Sequence, residues 1–149
     1  SKVCAADIPE LKEPRYLLYN RQTKQLRMVE RKEKITVVLK KNECCCLLFL
    51  AMPNAEISPV IPIGLMDKYM SFHAVTSAAL SPDKKQIRIS LADGGRFGVA
   101  VKKGCQIRDV YANGKSIALK QGSSVDTQNL DYYEVELPEP GAQTIEIGL

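Results

Sequence analysis

Short apolar runs separated by turn residues recur along this chain at intervals of about 8 to 12 residues, and this spacing limits the fold more than any other feature. In residues 86–91 and 143–147, apolar and polar side chains alternate, which is typical of strands with one buried face. Asn113-Gly114 lies between two such runs and predicts a tight hairpin, because both residues tolerate positive φ. The pattern predicts an all-β fold, a two-sheet antiparallel β-sandwich with at most one short helical turn.

The domain organisation follows from where these runs begin. Residues 1–14 mix charged residues and prolines with few periodic apolar positions, so we expect an irregular lead-in or linker there and a single β-sandwich domain over residues 15–149. The expected helical turn falls within residues 65–72. Pro62 cannot donate a ladder hydrogen bond, so its segment cannot be a central strand. The predicted strands are residues 16–19, 25–30, 35–40, 44–51, 74–80, 86–91, 96–101, 110–112, 115–119, 132–137 and 143–147.

The five cysteines do not form a disulfide framework, because their number is odd and Cys44, Cys45 and Cys46 are consecutive. In an extended chain the middle side chain points away from the other two, which suits neither a chelate nor easy pairing. We therefore expect a strand buried on both faces, in which cysteine acts as a small hydrophobic residue. Metal binding or thiol chemistry by these residues is the alternative.

The residues for a catalytic or metal centre are sparse. His73 is the single histidine, and we expect a structural role for it, since a nucleophilic triad needs a histidine base and zinc sites draw on several His or Cys ligands. The glycines of residues 93–98 fit a hairpin better than a nucleotide loop, because they lie between two strands. Acidic residues lie mainly in turns or at solvent-facing strand positions, where a catalytic pair is not expected. We predict no catalytic, cofactor-binding or metal site in this chain.

Charge and hydropathy exclude two classes of partner. The net charge is +4, and the basic residues occur in small groups beside turns, so we expect no nucleic-acid partner. The longest apolar run, residues 44–52, is far shorter than the roughly 20 residues that span a bilayer, and we expect no membrane partner. Because the first residue is Ser1 rather than Met, we expect a piece or processed form of a longer protein.

Several segments carry a resemblance to a known family. Residues 62–69, Pro-Ile-Gly-Leu-Met-Asp-Lys-Tyr, with Ala74-Val75 after them, resemble a segment near the C-terminus of raffinose synthases and seed imbibition proteins, which are relatives of the α-galactosidases. Residues 94–98, Gly-Gly-Arg-Phe-Gly, are similar to a second motif of that family. Residues 19–26, 35–39 and 135–147 resemble further family strands in the same order. The resemblance covers most of the chain, from about Leu18 to Leu149.

The resemblance implies a non-catalytic C-terminal β-sandwich domain of an α-galactoside-acting enzyme. In that family two aspartates of a preceding (β/α)₈ barrel perform the chemistry, so this chain would not be an enzyme, its partner would be the barrel of the same parent chain, and the parent would be a glycosidase or galactosyltransferase. The sequence departs from the family at Ser71-Phe72-His73 and at the consecutive cysteines, which leaves the parent's substrate and reaction open. The alternative is an independent carbohydrate- or protein-binding β-sandwich module.

The segment of residues 61–72 is rich in large apolar side chains, and we expect it to face two ways. Ile61, Ile63 and Leu65 are expected to point inward and close one edge of the sandwich. The rest of the group is too large to bury on one side, so part of it is expected to form an interface with the missing barrel, or to cause self-association when the barrel is absent. This predicted interface consists of Met66, Tyr69, Met70 and Phe72.

Overall fold

The computed structural model describes residues 1–51, 58–68, 71–122, 129–138 and 140–149, and in these ranges every strand pairing is antiparallel. The predicted all-β class is confirmed. The helical content is two short 3-10 turns, η1 (Ala5–Asp7) and η2 (Ser71–Ala74). The strands are β1 (Lys2–Val3), β2 (Arg15–Asn20), β3 (Gln25–Glu30), β4 (Ile35–Thr36), β5 (Leu47–Ala51), β6 (Val60–Leu65), β7 (Val75–Leu80), β8 (Gln86–Leu91), β9 (Gly95–Lys102), β10 (Val110–Ala112), β11 (Lys115–Ser116), β12 (Lys120–Gln121), β13 (Leu130–Leu137) and β14 (Gln143–Gly148).

The described part of the chain divides into two compact units, residues 1–51 and the residues from 58 onward, where the sequence predicts one sandwich domain from residue 15. The first unit has a three-stranded sheet in the order β3-β2-β5 and a two-stranded sheet of β1 and β4. Ala5, Tyr16, Leu18, Val29 and Ile35 form its buried core. The segment expected to be an irregular lead-in thus contributes β1, η1 and a core residue to this unit.

In the first unit, β2 is the strand that is buried on both faces. The prediction that residues 44–51 form a strand buried on both faces is wrong. Tyr16 to Tyr19 are all buried, whereas Cys44 is exposed and lies outside β5. The ladder between β2 and β5 ends where Asn20 pairs with Leu47. Because the chain turns after Asn20, residues 44–46 have no neighbouring strand to pair with, and the apolar run becomes a strand only from Leu47.

The second unit is a β-sandwich. One sheet has five strands in the order β11-β10-β14-β8-β7, and the other has four in the order β12-β13-β9-β6. Their inner faces share one buried core that draws on six of these strands, with Phe97, Val135 and Ile145 fully buried in it. The alternation in residues 86–91 and 143–147 is confirmed, since Ile87, Ile89, Leu91, Ile145 and Ile147 all point into this core.

The Asn-Gly hairpin between β10 and β11 is confirmed. Asn113 and Gly114 both have positive φ, 48° and 76°, as the tight turn requires. The Asn113 side chain also accepts the backbone N–H of Thr144 and donates to Gln143, so it joins the hairpin to β14. The strand after this turn is shorter than predicted: β11 ends at Ser116.

Strand β6 lies at the edge of the four-stranded sheet and pairs only with β9 in the part that the structure describes. This agrees with the expectation that Pro62 excludes a central position. The pairing register shifts between Pro62 and Gly64, a bulge that suits a proline and a glycine with φ of 121°. Ile61, Ile63 and Leu65 are all buried, but only Leu65 of the three packs in the core between the two sheets, so the predicted inward orientation is confirmed for Leu65 alone.

Other elements also differ from the sequence prediction, and β6 and β12 lie where no strand is predicted. The strand expected over residues 35–40 ends at Thr36, and Val38 and Leu39 after it are exposed. The expected helical turn lies later in the chain, at η2, because Leu65 still belongs to β6. The turn η1 was not expected, and it is held by the Asp7 carboxylate, which accepts the backbone N–H of Cys4 at 2.8 Å.

The five-stranded sheet ends at β7 among the described residues. Thr76, Ser77, Ala78 and Ala79 are exposed there, so neither face of this strand is covered over most of its length. Within the described residues, no helix is long and apolar enough to cross a membrane.

Candidate functional site

Two of the segments that carry the family resemblance lie side by side in the second unit. Strand β6 belongs to the first motif and β9 to the second, and Gly64 is paired with Gly98 and Leu65 with Phe97. The backbone N–H of Met66 then donates to the Arg96 carbonyl at 2.6 Å. Motif residues that are about 30 positions apart in sequence therefore form one continuous piece of structure.

Asp67 closes the end of this strand pair. One carboxylate oxygen, Oδ2, accepts the backbone N–H of Arg96 at 2.8 Å, and the other, Oδ1, lies 3.1 Å from Arg96 Nε. Gly95, next to Arg96, has φ of 134°, and a Cβ there would lie 3.3 Å from Asp67 Oδ2. The aspartate of one motif and the glycine and arginine of the other are thus fitted to each other.

Glu134 of β13 lies on the opposite side of the Arg96 guanidinium. Its Oε2 is 3.7 Å from Arg96 Nε, and its Oε1 accepts a hydrogen bond from the Tyr132 hydroxyl at 2.7 Å. Glu134 is the main cause that raises the pKa of the Arg96 guanidinium; burial opposes it, and Asp67 adds a raising effect that is weaker than that of burial. We call Asp67, Arg96, Tyr132 and Glu134 the Arg96 cluster.

A second ion pair fixes the loops beside the Arg96 cluster. Lys68 donates to Asp93 Oδ2, while Asp93 Oδ1 accepts the backbone N–H groups of Gly94 and Gly141, each at 2.8 Å. These interactions, led by the Lys68 contact, lower the pKa of the Asp93 carboxyl from 3.8 to about 2. Asp93 therefore ties the β8–β9 turn to the β13–β14 connection and to the end of the first motif.

The position beneath the Arg96 cluster is occupied by a glycine, Gly98. A larger residue would collide with the side chains around it. A Cβ at this position would come within 2.6 Å of Met66 Sδ and 3.0 Å of the Tyr132 hydroxyl oxygen. Met66 is half-buried over this glycine. The structure accounts in this way for Gly98 in the second motif and for the large side chain of Met66 in the first.

The predicted interface is described at one of its four positions. Met66 is half-buried and therefore presents part of its side chain to solvent. Tyr69 and Met70 lie outside the described residues, and so does the side chain of Phe72, whose backbone is in η2. The assignment of these four residues to an interface stays a prediction.

The cysteines occupy different environments. Cys4 is buried, and burial raises the pKa of the half-buried Cys105 thiol. Cys44 is exposed, and Cys45 and Cys46 are half-buried. Hydrogen bonds hold this segment against the β2–β3 turn: the backbone N–H of Cys46 donates to Gln22 Oε1 at 2.8 Å.

A groove of about 860 Å³ lies within the first unit, and no sequence motif predicted it. Leu18 and Ile35 contribute buried apolar surface to it, and Arg27 and Lys34 contribute positive charge. Its volume falls in the range of small-molecule sites. The described residues that line it include no aromatic ring.

The positive charge of the chain is concentrated in the first unit. Residues 1–51 contain eleven Lys or Arg and six Asp or Glu, a net charge of +5, whereas residues 52–149 contain ten and eleven, a net charge of −1. The small basic groups noted in the sequence are spread over both units, but acidic residues balance them only in the second.

Among the described residues, no group of three or more His, Cys, Asp or Glu side chains is placed to hold a metal ion. His73 is exposed in η2. A comparison with models of known protein families finds no match to this chain, and a comparison with curated proteins finds none either. The resemblance to raffinose synthases and seed imbibition proteins accordingly rests on the motif residues themselves.

Sequence reasoning did not identify Arg96 and Asp67 as partners. Both residues lie inside the motifs, so the signal was present: the first motif carries Asp67 and Lys68, and the second carries Arg96. What the sequence lacked was the pairing of β6 with β9, which depends on the bulge after Pro62. Glu134 and Tyr132 join the cluster only because β13 pairs with β9 on the other side.

Proposed function

We propose that this chain is a non-catalytic β-sandwich domain that supports a catalytic (β/α)₈ barrel in an α-galactoside-acting enzyme similar to raffinose synthases and seed imbibition proteins. The parent enzyme would be a glycosidase or galactosyltransferase, and the barrel would precede this domain in the same chain.

The observation that carries this proposal is the placement of the motif residues. Gly64, Met66 and Asp67 of one motif are packed against Arg96 and Gly98 of the other. Residues of two motifs that are about 30 positions apart in sequence are thereby in contact, and this contact supports the resemblance. The motifs describe a local structure in which each of these residue types has a packing or charge requirement.

The chemistry of the Arg96 cluster favours a structural role over an acid–base role. Glycoside hydrolysis needs one carboxyl group that donates a proton and a second that acts as base or nucleophile. Here Asp67 and Glu134 flank the same guanidinium, and Glu134 also accepts the Tyr132 hydroxyl. Carboxylates held by a cation and by hydrogen bonds are suited to fixing strands in place.

The predicted contact with the barrel follows residues 66–72, beginning at Met66. This segment starts where β6 leaves the sheet, directly above the fixed Asp67–Arg96 pair. The Met66 backbone N–H is bonded to the Arg96 carbonyl, so little backbone entropy is lost at this residue when a partner covers it.

The coding sequence and an activity assay test the proposal together. We expect a (β/α)₈ sequence directly upstream of Ser1, galactose release from raffinose or melibiose by the full-length parent, and no release by this chain alone. A start codon near Ser1 would overturn the proposal. Galactose release by the isolated chain that is abolished by substituting a single Asp or Glu would also overturn it.

A binding experiment tests the docking segment. When the separately produced barrel is mixed with this chain, we expect the barrel's melting temperature to rise, and Met66→Asp should weaken that rise. Val38→Asp is the matched control, because Val38 is 84% exposed in the first unit. Equal effects of the two variants would show that the docking surface lies elsewhere.

A further inference from the structure

Among the five thiols, Cys44 is the exposed one. Cys4 is buried, and Cys105 is half-buried with a thiol pKa raised by burial, so both are less favourable nucleophiles than an exposed cysteine. Cys44 is exposed and Cys45 is half-buried. Thiol exchange requires access to the attacking sulfur, which selects the Cys44–Cys45 segment.

This segment forms part of the wall of the groove in the first unit. Both Cys44 and Cys45 line the groove, together with Lys34 and Arg27. The segment is anchored from behind, since Arg21 donates its backbone N–H to the Cys46 carbonyl at 3.0 Å. Cys44 and Cys45 therefore belong to a concave surface large enough for a tripeptide-sized molecule, which distinguishes them from an isolated surface cysteine.

The charge around the groove favours an anionic ligand. The charged side chains that line the groove are two cations, Arg27 and Lys34, and one anion, Glu43. Arg27 is paired with Glu33 at 3.3 Å, so the exposed Lys34 is the cation available to a ligand. Residues 1–51 carry a net charge of +5, which attracts anions from solution.

We propose that the groove binds a small anionic disulfide of the glutathione class and that Cys44 exchanges with it to form a mixed disulfide. The Cys44 thiolate attacks one sulfur of the ligand, a new S–S bond forms to the protein, and the S–S bond of the ligand breaks. The departing half leaves as a thiolate and takes up the proton that Cys44 released. Cys44 is oxidised, half of the ligand is reduced, and no other oxidant is needed.

The site differs from the proposed docking function in place and in consequence. The groove lies in the first unit, and the Arg96 cluster lies in the second. A failed barrel-docking experiment therefore leaves the thiol site intact, and the reverse also holds.

The test compares three disulfides of different charge on the intact chain. Oxidised glutathione is anionic, bis(2-hydroxyethyl) disulfide is neutral and cystamine is cationic. Modification is followed at low salt by intact mass and peptide mapping. We expect Cys44 to be modified first, Cys44→Ser to remove the fast phase, and the rate to fall from the anionic to the neutral to the cationic probe.

Variants at the groove test the role of charge. Lys34→Gln should slow the reaction with oxidised glutathione about threefold or more and leave the neutral probe unchanged, because removal of a nearby cation weakens attraction of anions only. Lys103→Gln, an exposed position in the second unit, is the control and should change neither rate. The anionic preference should shrink as salt is added.

Three results would overturn the proposal. Equal rates for the three probes at low salt would show that the groove does not select anions. First modification at Cys4 or Cys105 would show that exposure does not decide reactivity. An unchanged fast phase in Cys44→Ser would place the exchange at another cysteine.

Discussion

Replacing Gly98 by alanine should destabilise the second unit, because the added methyl group has no free space. A Cβ at this position would lie 2.6 Å from Met66 Sδ, 2.9 Å from Met66 Cγ and 3.0 Å from the Tyr132 hydroxyl oxygen. Gly98 is not among the residues with positive φ, so alanine meets no backbone strain there. In the absence of these contacts, alanine in a strand would be more stable than glycine by about 0.5–1 kcal/mol.

The size of the loss follows from which neighbour can move. Met66 is half-buried and unbranched, so its thioether can swing away at small cost. Tyr132 is 5% exposed and its hydroxyl is bound to Glu134, so it resists displacement. Overpacking of this kind costs about 1–3 kcal/mol. After the strand preference of alanine is subtracted, we expect a net loss of about 1–2 kcal/mol in the free energy of unfolding.

A double-mutant cycle isolates the contact. Met66→Ala removes the two atoms nearest to the new methyl group, so the double variant Gly98→Ala/Met66→Ala should be more stable than additivity predicts, by about 1 kcal/mol. Gly114→Ala is the control: it has open space but a φ of 76°, so its cost is backbone strain that Met66→Ala cannot relieve.

Urea unfolding monitored by far-ultraviolet circular dichroism gives the free energies, since the chain has no tryptophan to serve as a fluorescent probe. If Gly98→Ala is as stable as the parent chain or more stable, the close packing of the two motifs is wrong. If the cycle is additive, Met66 does not lie over Gly98.

Three further changes probe the core, an ion pair and a buried hydroxyl. Phe97→Ala, at the centre of the sandwich core, should cost about 3–5 kcal/mol in urea unfolding, whereas Val38→Ala, at an 84% exposed position, should change little. Asp93 should titrate at about pH 2 in carboxyl ¹³C NMR, because Lys68 and two backbone N–H groups lower its pKa. Its contribution to stability is then complete above pH 3.8 and is lost as the pH falls through about 2, and Lys68→Met should raise this pKa. Tyr16→Phe should cost about 1 kcal/mol, since the buried Tyr16 hydroxyl accepts a backbone N–H at 2.8 Å; no change in the urea midpoint would contradict that hydrogen bond.

The sequence pattern predicted the turns and strands whose conformation depends only on residues close to each other in sequence. The Asn113-Gly114 hairpin was predictable because the left-handed conformation of two adjacent residues is a property of those residues. Strand β8 was predictable because Ile87, Ile89 and Leu91 alternate with polar residues and all reach one core. Such features need no knowledge of the partner strand.

The parts that were missed depend on partners. The run from Cys44 to Leu50 is uniformly apolar, yet only the residues from Leu47 onward form a strand, because β2 offers no partner beyond Asn20. The Asp67–Arg96 pair likewise depends on the bulge between Pro62 and Gly64, which sets the register of two strands. Composition shows which residues are suited to a sheet, but the length of the neighbouring strand decides where pairing stops.

Strand β7 is an edge of the five-stranded sheet among the described residues, so a strand from another molecule can pair with it and extend the sheet. Its outer backbone N–H and C=O groups face away from β8, and none of the residues in Val75–Leu80 is charged or a proline. Charges and prolines on an edge are what normally prevent one molecule from extending the sheet of another. Aggregation of this protein at high concentration should therefore begin at this edge, and a single lysine at Ala78 or Ala79 would act as a gatekeeper against it.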